Sequence, residues 1–287
     1  MSAPAPQADA ASFCAELVRS HDFDRYAATL FVAPEPRRAL LALYAFNVEI
    51  VRVRDLVTQP LPGEIRLQWW SDLLAGTAHG AAEGNPVAAE LLWAIDAQKL
   101  PTAPLERLIE AHQFDLYNDP MPDLAALQDY LDATVGSLIG LAATVLGAPV
   151  GSVAHLAHHA GVGIGIARLI AAMPRDSSRR QLFLPLQAFT EAGSGLEEAF
   201  AGKPTPTLRA ALAKLIAEAR DHLDQAGALL AEAPAEARPA LLAQALARRD
   251  LDQMARPEFD PFVPHPRSRL AALWTLWRAS RARAFRG

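Results

Sequence analysis

Two stretches of the chain place charged side chains at spacings where they could do chemistry. In the first, Glu49, Arg52 and Asp55 follow at steps of three, so on a helix they share one side. Leu40, Leu43, Tyr44, Val48 and Val51 lead up to Asp55 at three- and four-residue steps, which puts a carboxylate at the end of an apolar stripe. Arg52 stands three residues from each acid, so one guanidinium can neutralise both. In the second stretch Arg175, Asp176, Arg179 and Arg180 lie close together. Guanidinium forks bind phosphate bidentately without a metal, so Arg175, Arg179 and Arg180 are candidate phosphate ligands. A third group, His112, Asp115 and Asp119, has no second histidine–carboxylate set to complete a metal shell and reads as a solvated helix end.

These residues need long helices to position them, and the chain supplies helix signals throughout. Prolines 34 and 36 open, and prolines 60 and 62 close, a helix expected over 36–58, where a missing N–H costs little at the start. Further helices are expected over 11–20, 64–74, 86–99, 101–117, 123–146, 150–173, 207–231, 235–255 and 267–285, with a loop at 191–206. No run of alternating β-branched residues bounded by turns appears, so the fold class is all-α. Glycines 161, 163 and 165 do not make a dinucleotide fingerprint, because no strand precedes them. In the last helix Leu270, Leu273, Trp274 and Trp277 form a stripe expected to close the bundle. Six arginines and no acid follow Asp260; beside tryptophans such arginines suit a peripheral membrane contact.

At 287 residues and 51 % apolar composition the chain can bury a large core. A net charge of −5 argues against nucleic acid as a principal partner. The single Cys14 excludes an intrachain disulfide or a cysteine metal cluster. The N-terminus reads as a flexible tail, residues 1–10, without the marks of a secretory signal or a mitochondrial transit peptide. The longest apolar stretch weighed as a membrane span, 135–150, is too short and broken by glycine.

YAFNVEIVRVRDLV followed by IRLQWWSDLL resembles the first signature of the squalene/phytoene synthase family. DYLDATVGSLIGLAATVLG resembles its tyrosine–glycine helix, and RRQLFLP the end of its second signature. The resemblance spans about residues 22–277. It implies a single helical domain, 11–287, of the isoprenoid synthase type. In that family paired aspartates hold magnesium against a prenyl diphosphate. Here Val51 occupies the first pair position and only Asp55 keeps the acid; in the second signature Arg175 and Asp176 match but no second aspartate remains. Valine offers no oxygen to a hard cation. The resemblance makes Asp55 and Asp176 the candidate metal ligands and, with Glu49, the candidate catalytic acids. Tyr44, Tyr130 and Arg52 join the arginine cluster as candidate ligand contacts. The variant FNVEI…RD is similar to a branch known from a mitochondrial factor that assists assembly of respiratory complex I and lacks the metal motifs. That branch implies a non-catalytic assembly factor with complex I subunits as partners and no cofactor. An isoprenoid diphosphate or lipid is its candidate ligand. Its expected location is cytoplasmic, peripheral on the cytoplasmic face of the inner membrane. The alternative is a head-to-head prenyltransferase that uses magnesium on remodelled ligands.

Overall fold

The computed structural model describes residues 6–77 and 84–285. The first five residues of the expected tail, and six of the loop between 76 and 86, lie outside them. The described residues form α1 Pro6–His21, α2 Phe23–Thr29, α3 Pro34–Leu56, α4 Pro60–Leu74, α5 Pro86–Gln98, α6 Ala103–Ala111 and α7 Leu124–Leu131. They continue with α8 Ser137–Val145, α9 Ala154–Ser178, α10 Leu186–Glu191, α11 Leu196–Phe200, α12 Pro206–Leu230, α13 Gln244–Met254 and α14 Arg269–Ser280. No strand occurs among the described residues, as the all-α reading requires.

Local chemistry explains most boundaries. Proline occupies the first turn of α3, α4, α5, α6 and α12, where its missing donor costs nothing. Asn85, Asp123, Thr205 and Ser268 cap α5, α7, α12 and α14 by accepting from backbone N–H groups two or three residues on. α1 starts five residues earlier than expected. The helix expected over 101–117 breaks after Ala111, and a 3₁₀ turn at Phe114–Leu116 folds Asp115 inward. The loop at 191–206 carries α11. Pro239 removes a helix donor, so the expected 235–255 helix begins as a 3₁₀ turn and becomes α only from Gln244.

The helices enclose two main cores. The first is built on α1, α3, α4, α5 and α6, the second on α7, α9, α10 and α12. α8 separates them and belongs to both: Leu138, Leu141, Ala142 and Val145 face the first, Ile139 and Ala143 the second. A helix apolar all round is a buried helix. α7 passes into α8 through one π-turn, Asp132–Gly136, inside the helix expected over 123–146.

α9 is the central rod of the second core. By length and composition it could cross a membrane, but 72 % of its most apolar window is buried by the other helices, so its apolar residues pack the core. Its glycines make room for neighbours: a Cβ on Gly161 would sit 2.7 Å from the backbone nitrogen of Gly136, and those on Gly163 and Gly165 would strike Leu223 and Leu131. Helices, not a ligand, fill that space. Pro174 does not end α9, which runs on to Ser178; an ion pair from Asp176 to α3 holds the last turn in place.

α14 departs from expectation. It packs through Ala272 and Leu276 against α2 and the 242–246 segment at the start of α13, while Leu270, Trp274 and Trp277 are 80 %, 59 % and 39 % exposed. Of the leucine–tryptophan stripe only Leu273 packs against this core, so the stripe as a whole does not close the bundle: the buried face of α14 lies to one side of the spacing read from sequence.

Candidate functional site

The C-terminal half of α3, the start of α2 and the end of α9 surround a cleft of about 710 Å³. Its lining includes Arg25, Arg52, Arg168 and Arg175 against Asp22, Asp24 and Asp55. Four arginines against three aspartates leave the wall mildly cationic.

Both signature acids are held by arginines. Asp55 accepts from Arg179, and its second oxygen lies 4.0 Å from Arg175 Nη1. Burial pushes the Asp55 carboxyl up, but the Arg179 hydrogen bond and the charges of Arg175, Arg179 and Arg54 hold it below the ordinary range. Asp176, 4 % exposed, accepts from Arg54 Nη2 at 2.8 Å and from Arg175 Nε at 3.0 Å on the same oxygen. The Arg54 guanidinium also stacks over the Phe183 ring at 4.4 Å. These residues do not fit a magnesium ion: the position one turn before Asp55 is Val51, and the two remaining acids are already paired with three guanidiniums, whose charge repels a cation.

The rest of the predicted set divides. Arg175 and Arg179 converge on Asp55, whereas Arg180 adopts a left-handed backbone (φ 56°) and turns away to Glu197 and the Phe200 ring. The compact cluster of three arginines is therefore a pair. Arg52 approaches Glu49 loosely, at 4.0 Å, and the expected Arg52–Asp55 ion pair does not form; Arg54, two residues on, meets the acids of the site instead. Glu49 lies outside the cleft lining. Tyr44 is buried with Arg25 5.7 Å from its ring, and burial pushes its hydroxyl up to about 12, against the pull of Arg25.

Tyr130 belongs to an interior network. Its hydroxyl donates to Asp115 at 2.9 Å, and the other Asp115 oxygen lies 2.8 Å from His112 Nδ1. Burial, then the Asp115 carboxylate, push the Tyr130 hydroxyl well above its ordinary value. His112 and Asp115 are both buried, which corrects the reading of a solvated helix end; only Asp119 is exposed. The 3₁₀ turn after α6 causes the difference.

The sequence reading also passed over a half-buried triad in the cleft wall. Asp22 caps α2 and accepts from Arg25 Nη1 at 2.6 Å and Arg168 Nη2 at 3.2 Å. Burial pushes its carboxyl up, yet the Arg168 and Arg25 guanidiniums overcome that and hold it at about 2. Arg25 pairs with Asp22, while Asp24 reaches Arg267 at 2.8 Å.

An all-helical bundle with its charged residues at the mouth of a cleft between signature helices defines an isoprenoid-synthase type of protein. The squalene/phytoene synthase family model matches residues 18–278, and the chain belongs to that family. It is 32 % identical to the mouse (Mus musculus) protein named NADH dehydrogenase (ubiquinone) complex I, assembly factor 6, over 88 % of this chain and 76 % of that one. It is 25 % identical to chloroplastic phytoene synthase 2 of Solanum lycopersicum, over 87 % and 83 % respectively. Among solved structures, squalene synthase HpnC from Alicyclobacillus acidocaldarius superposes with a TM-score of 0.78 at 22 % identity, covering 91 % of this chain and 98 % of that one. That likeness concerns the fold.

Proposed function

We propose that this protein is a non-catalytic assembly factor for respiratory complex I whose cleft takes a phosphate-bearing isoprenoid or phospholipid. The observation that carries the reading is the neutralisation of both signature acids, Asp55 by Arg179 and Arg175, and Asp176 by Arg54 and Arg175. Ionising a prenyl diphosphate needs metal to neutralise the departing charge, and ligands already paired with arginine do not supply it. The cationic lining suits an anion, and Arg52, with one loose partner at 4.0 Å, is free to turn to a phosphate. The similarity to a protein named as a complex I assembly factor supports the same reading.

In this proposal the chain works on the cytoplasmic face of the inner membrane. The exposed Leu270, Trp274 and Trp277 with neighbouring Arg278 and Arg281 would rest at the headgroup level, where indoles and cations are both favoured. The test pairs two measurements. Deleting the gene is expected to lower complex I activity while leaving the isoprenoid profile intact; the reverse phenotype sinks the proposal. Purified protein given farnesyl and geranylgeranyl diphosphates, magnesium and NADPH is expected to release no diphosphate. Magnesium-dependent turnover abolished by Asp55→Ala would establish the prenyltransferase reading in its place.

A further inference from the structure

The N-terminal end of α9 holds a cluster that plays no part in the cleft. His155, His158 and His159 occupy positions i, i+3 and i+4 of α9, and His222 reaches them from α12. His158 and Asp176 are eighteen residues apart on this helix, about 27 Å at 1.5 Å per residue. One ring nitrogen from each of His158, His159 and His222 can be chosen so that all three lie within 4.8 Å of one another.

The partners of these rings sort the nitrogens into outer and inner ones. His158 Nδ1 lies 3.1 Å from Asp132 Oδ1, and His222 Nε2 lies 3.3 Å from Glu218 Oε1. His159 Nε2 lies 3.0 Å from His155 Nε2. Gln128 braces the second pair, its amide nitrogen 3.0 Å from Glu218 Oε1 and 3.2 Å from His222 Nε2. An ionised carboxylate only accepts, so Asp132 draws the His158 ring proton to Nδ1, and Glu218 does the same at His222 Nε2 once the Gln128 amide, which can only donate, gives its hydrogens to Glu218 alone. Lone pairs are then left on His158 Nε2, His159 Nδ1 and His222 Nδ1. His159 Nδ1 and His222 Nδ1 face each other at 2.9 Å, and two lone pairs at that distance require a positive centre between them, a proton or a metal. In a tetrahedral zinc site with ~2.0–2.1 Å bonds the ligand nitrogens stand about 3.3 Å apart, so the His159 and His222 rings need to part by only a few tenths of an ångström, and the His158 nitrogen, within 4.8 Å of both, needs to draw in.

The fold holds these partners in place. Gly161 approaches Gly136 so closely that no Cβ fits between them, and this crossing brings Asp132, one turn before Gly136, against His158, three residues before Gly161. The π-turn that starts at Asp132 is a feature often found at functional sites. Neutral imidazole is the form that ligates.

We propose that His158, His159 and His222 form a zinc-type site with an open fourth position, oriented by Asp132, Glu218 and His155. Nitrogen donors select a borderline d-block cation over magnesium or calcium, and carboxylate–histidine pairing is how such ligands are oriented. The site is independent of the assembly-factor reading.

The test is titration of the chelator-treated full chain with Co²⁺, followed by displacement with Zn²⁺ and calorimetry of the Zn²⁺ binding. One equivalent is expected to bind with the visible bands of tetrahedral cobalt and to raise the melting temperature. His222→Asn and the surface-accessible His158→Ala should abolish those bands. Asp132→Asn, at a positioning residue, should weaken binding roughly 10–100-fold while keeping the tetrahedral spectrum. His265→Ala, remote from the cluster, should change nothing. Circular dichroism establishes that each variant is folded. No tetrahedral spectrum in the parent chain, or an undiminished one in folded His158→Ala, overturns the proposal.

Discussion

The two ends of α9 carry their charged and ligating groups in opposite ways. At the C-terminal end Arg175 and Asp176 are already partnered: carboxylates meet guanidiniums from α3 and from α9's own last turns. At the N-terminal end imidazoles meet carboxylates through their outer nitrogens only, which leaves inner nitrogens pointing at one another. One helix thus presents a closed electrostatic lock and an open set of donors. What separates them is where the permanent cation stands: at the C-terminal end guanidiniums meet the acids directly, whereas at the N-terminal end Arg107 pairs with one oxygen of Asp132 at 2.8 Å and leaves the other to His158. A guanidinium satisfies an acid and excludes a metal; a carboxylate behind an imidazole readies it for one.

The largest effect expected is at the locked end. Arg54→Ala removes the more buried of the two arginines that hold the 4 %-exposed Asp176, and breaking a buried pair costs up to about 3–5 kcal/mol, readable as a fall in the urea midpoint. A loss under 1 kcal/mol would mean that Arg175 alone suffices and that the lock is looser than the distances imply. Next is Asp22. Its folded value of about 2 lies below the ordinary 3.8, so its stabilisation is complete above pH 3.8 and is lost as pH falls through 2. The shift corresponds to roughly 2 kcal/mol. Urea midpoints from pH 5 to pH 2 should fall more steeply in the parent chain than in Asp22→Asn, which starts from lower stability because Arg25 and Arg168 lose their partner.

A smaller pH effect is expected from the histidine end. His159 and His222 are held below the ordinary 6.5 in the folded chain, so the unfolded state binds protons first as pH drops below 6.5. Stability should decline over that window, less in His159→Asn than in the parent. Excess Zn²⁺ should oppose the decline; if it deepens it instead, the contrast between the two ends fails. Smallest of all is Trp274→Ala. The side chain is 59 % exposed, so stability should stay within about 0.5 kcal/mol, while flotation with anionic vesicles should drop. Unchanged flotation would remove the proposed membrane contact and leave both ends of α9 as they are.

Much of this was legible in the sequence. The ordered motifs gave the family, and helical periodicity gave the helices. Asp55, Asp176, Arg175 and Arg179 were singled out and do converge. What spacing could not supply was the direction each helix face takes. Arg52 and Arg54 are two residues apart, about 200° around a helix, and only the landing point of α9 decides that Arg54 meets Asp176. The same limit explains α14, whose contact face is Ala272 and Leu276 although the larger side chains lie elsewhere. Asp22 and Arg168 are 146 residues apart and pair only in the folded chain. The histidines at 155, 158 and 159 were a visible signal, one face of one helix, but His222 and its carboxylate come from a distant stretch.

The π-turn at Asp132–Gly136 amounts to one residue too many for a regular helix. Deleting a single residue there would restore α geometry and leave the helices on either side facing as before, because the wide turn already absorbs the extra residue; α8 would still serve both cores. Asp132 would not keep its place, since its position beside His158 depends on the turn that leads to Gly136, where Gly161 crosses. Length variants at this point would therefore be expected to survive as folded chains that have lost the carboxylate behind His158, which makes the segment a natural place to look for insertions and deletions that separate family members by what they bind.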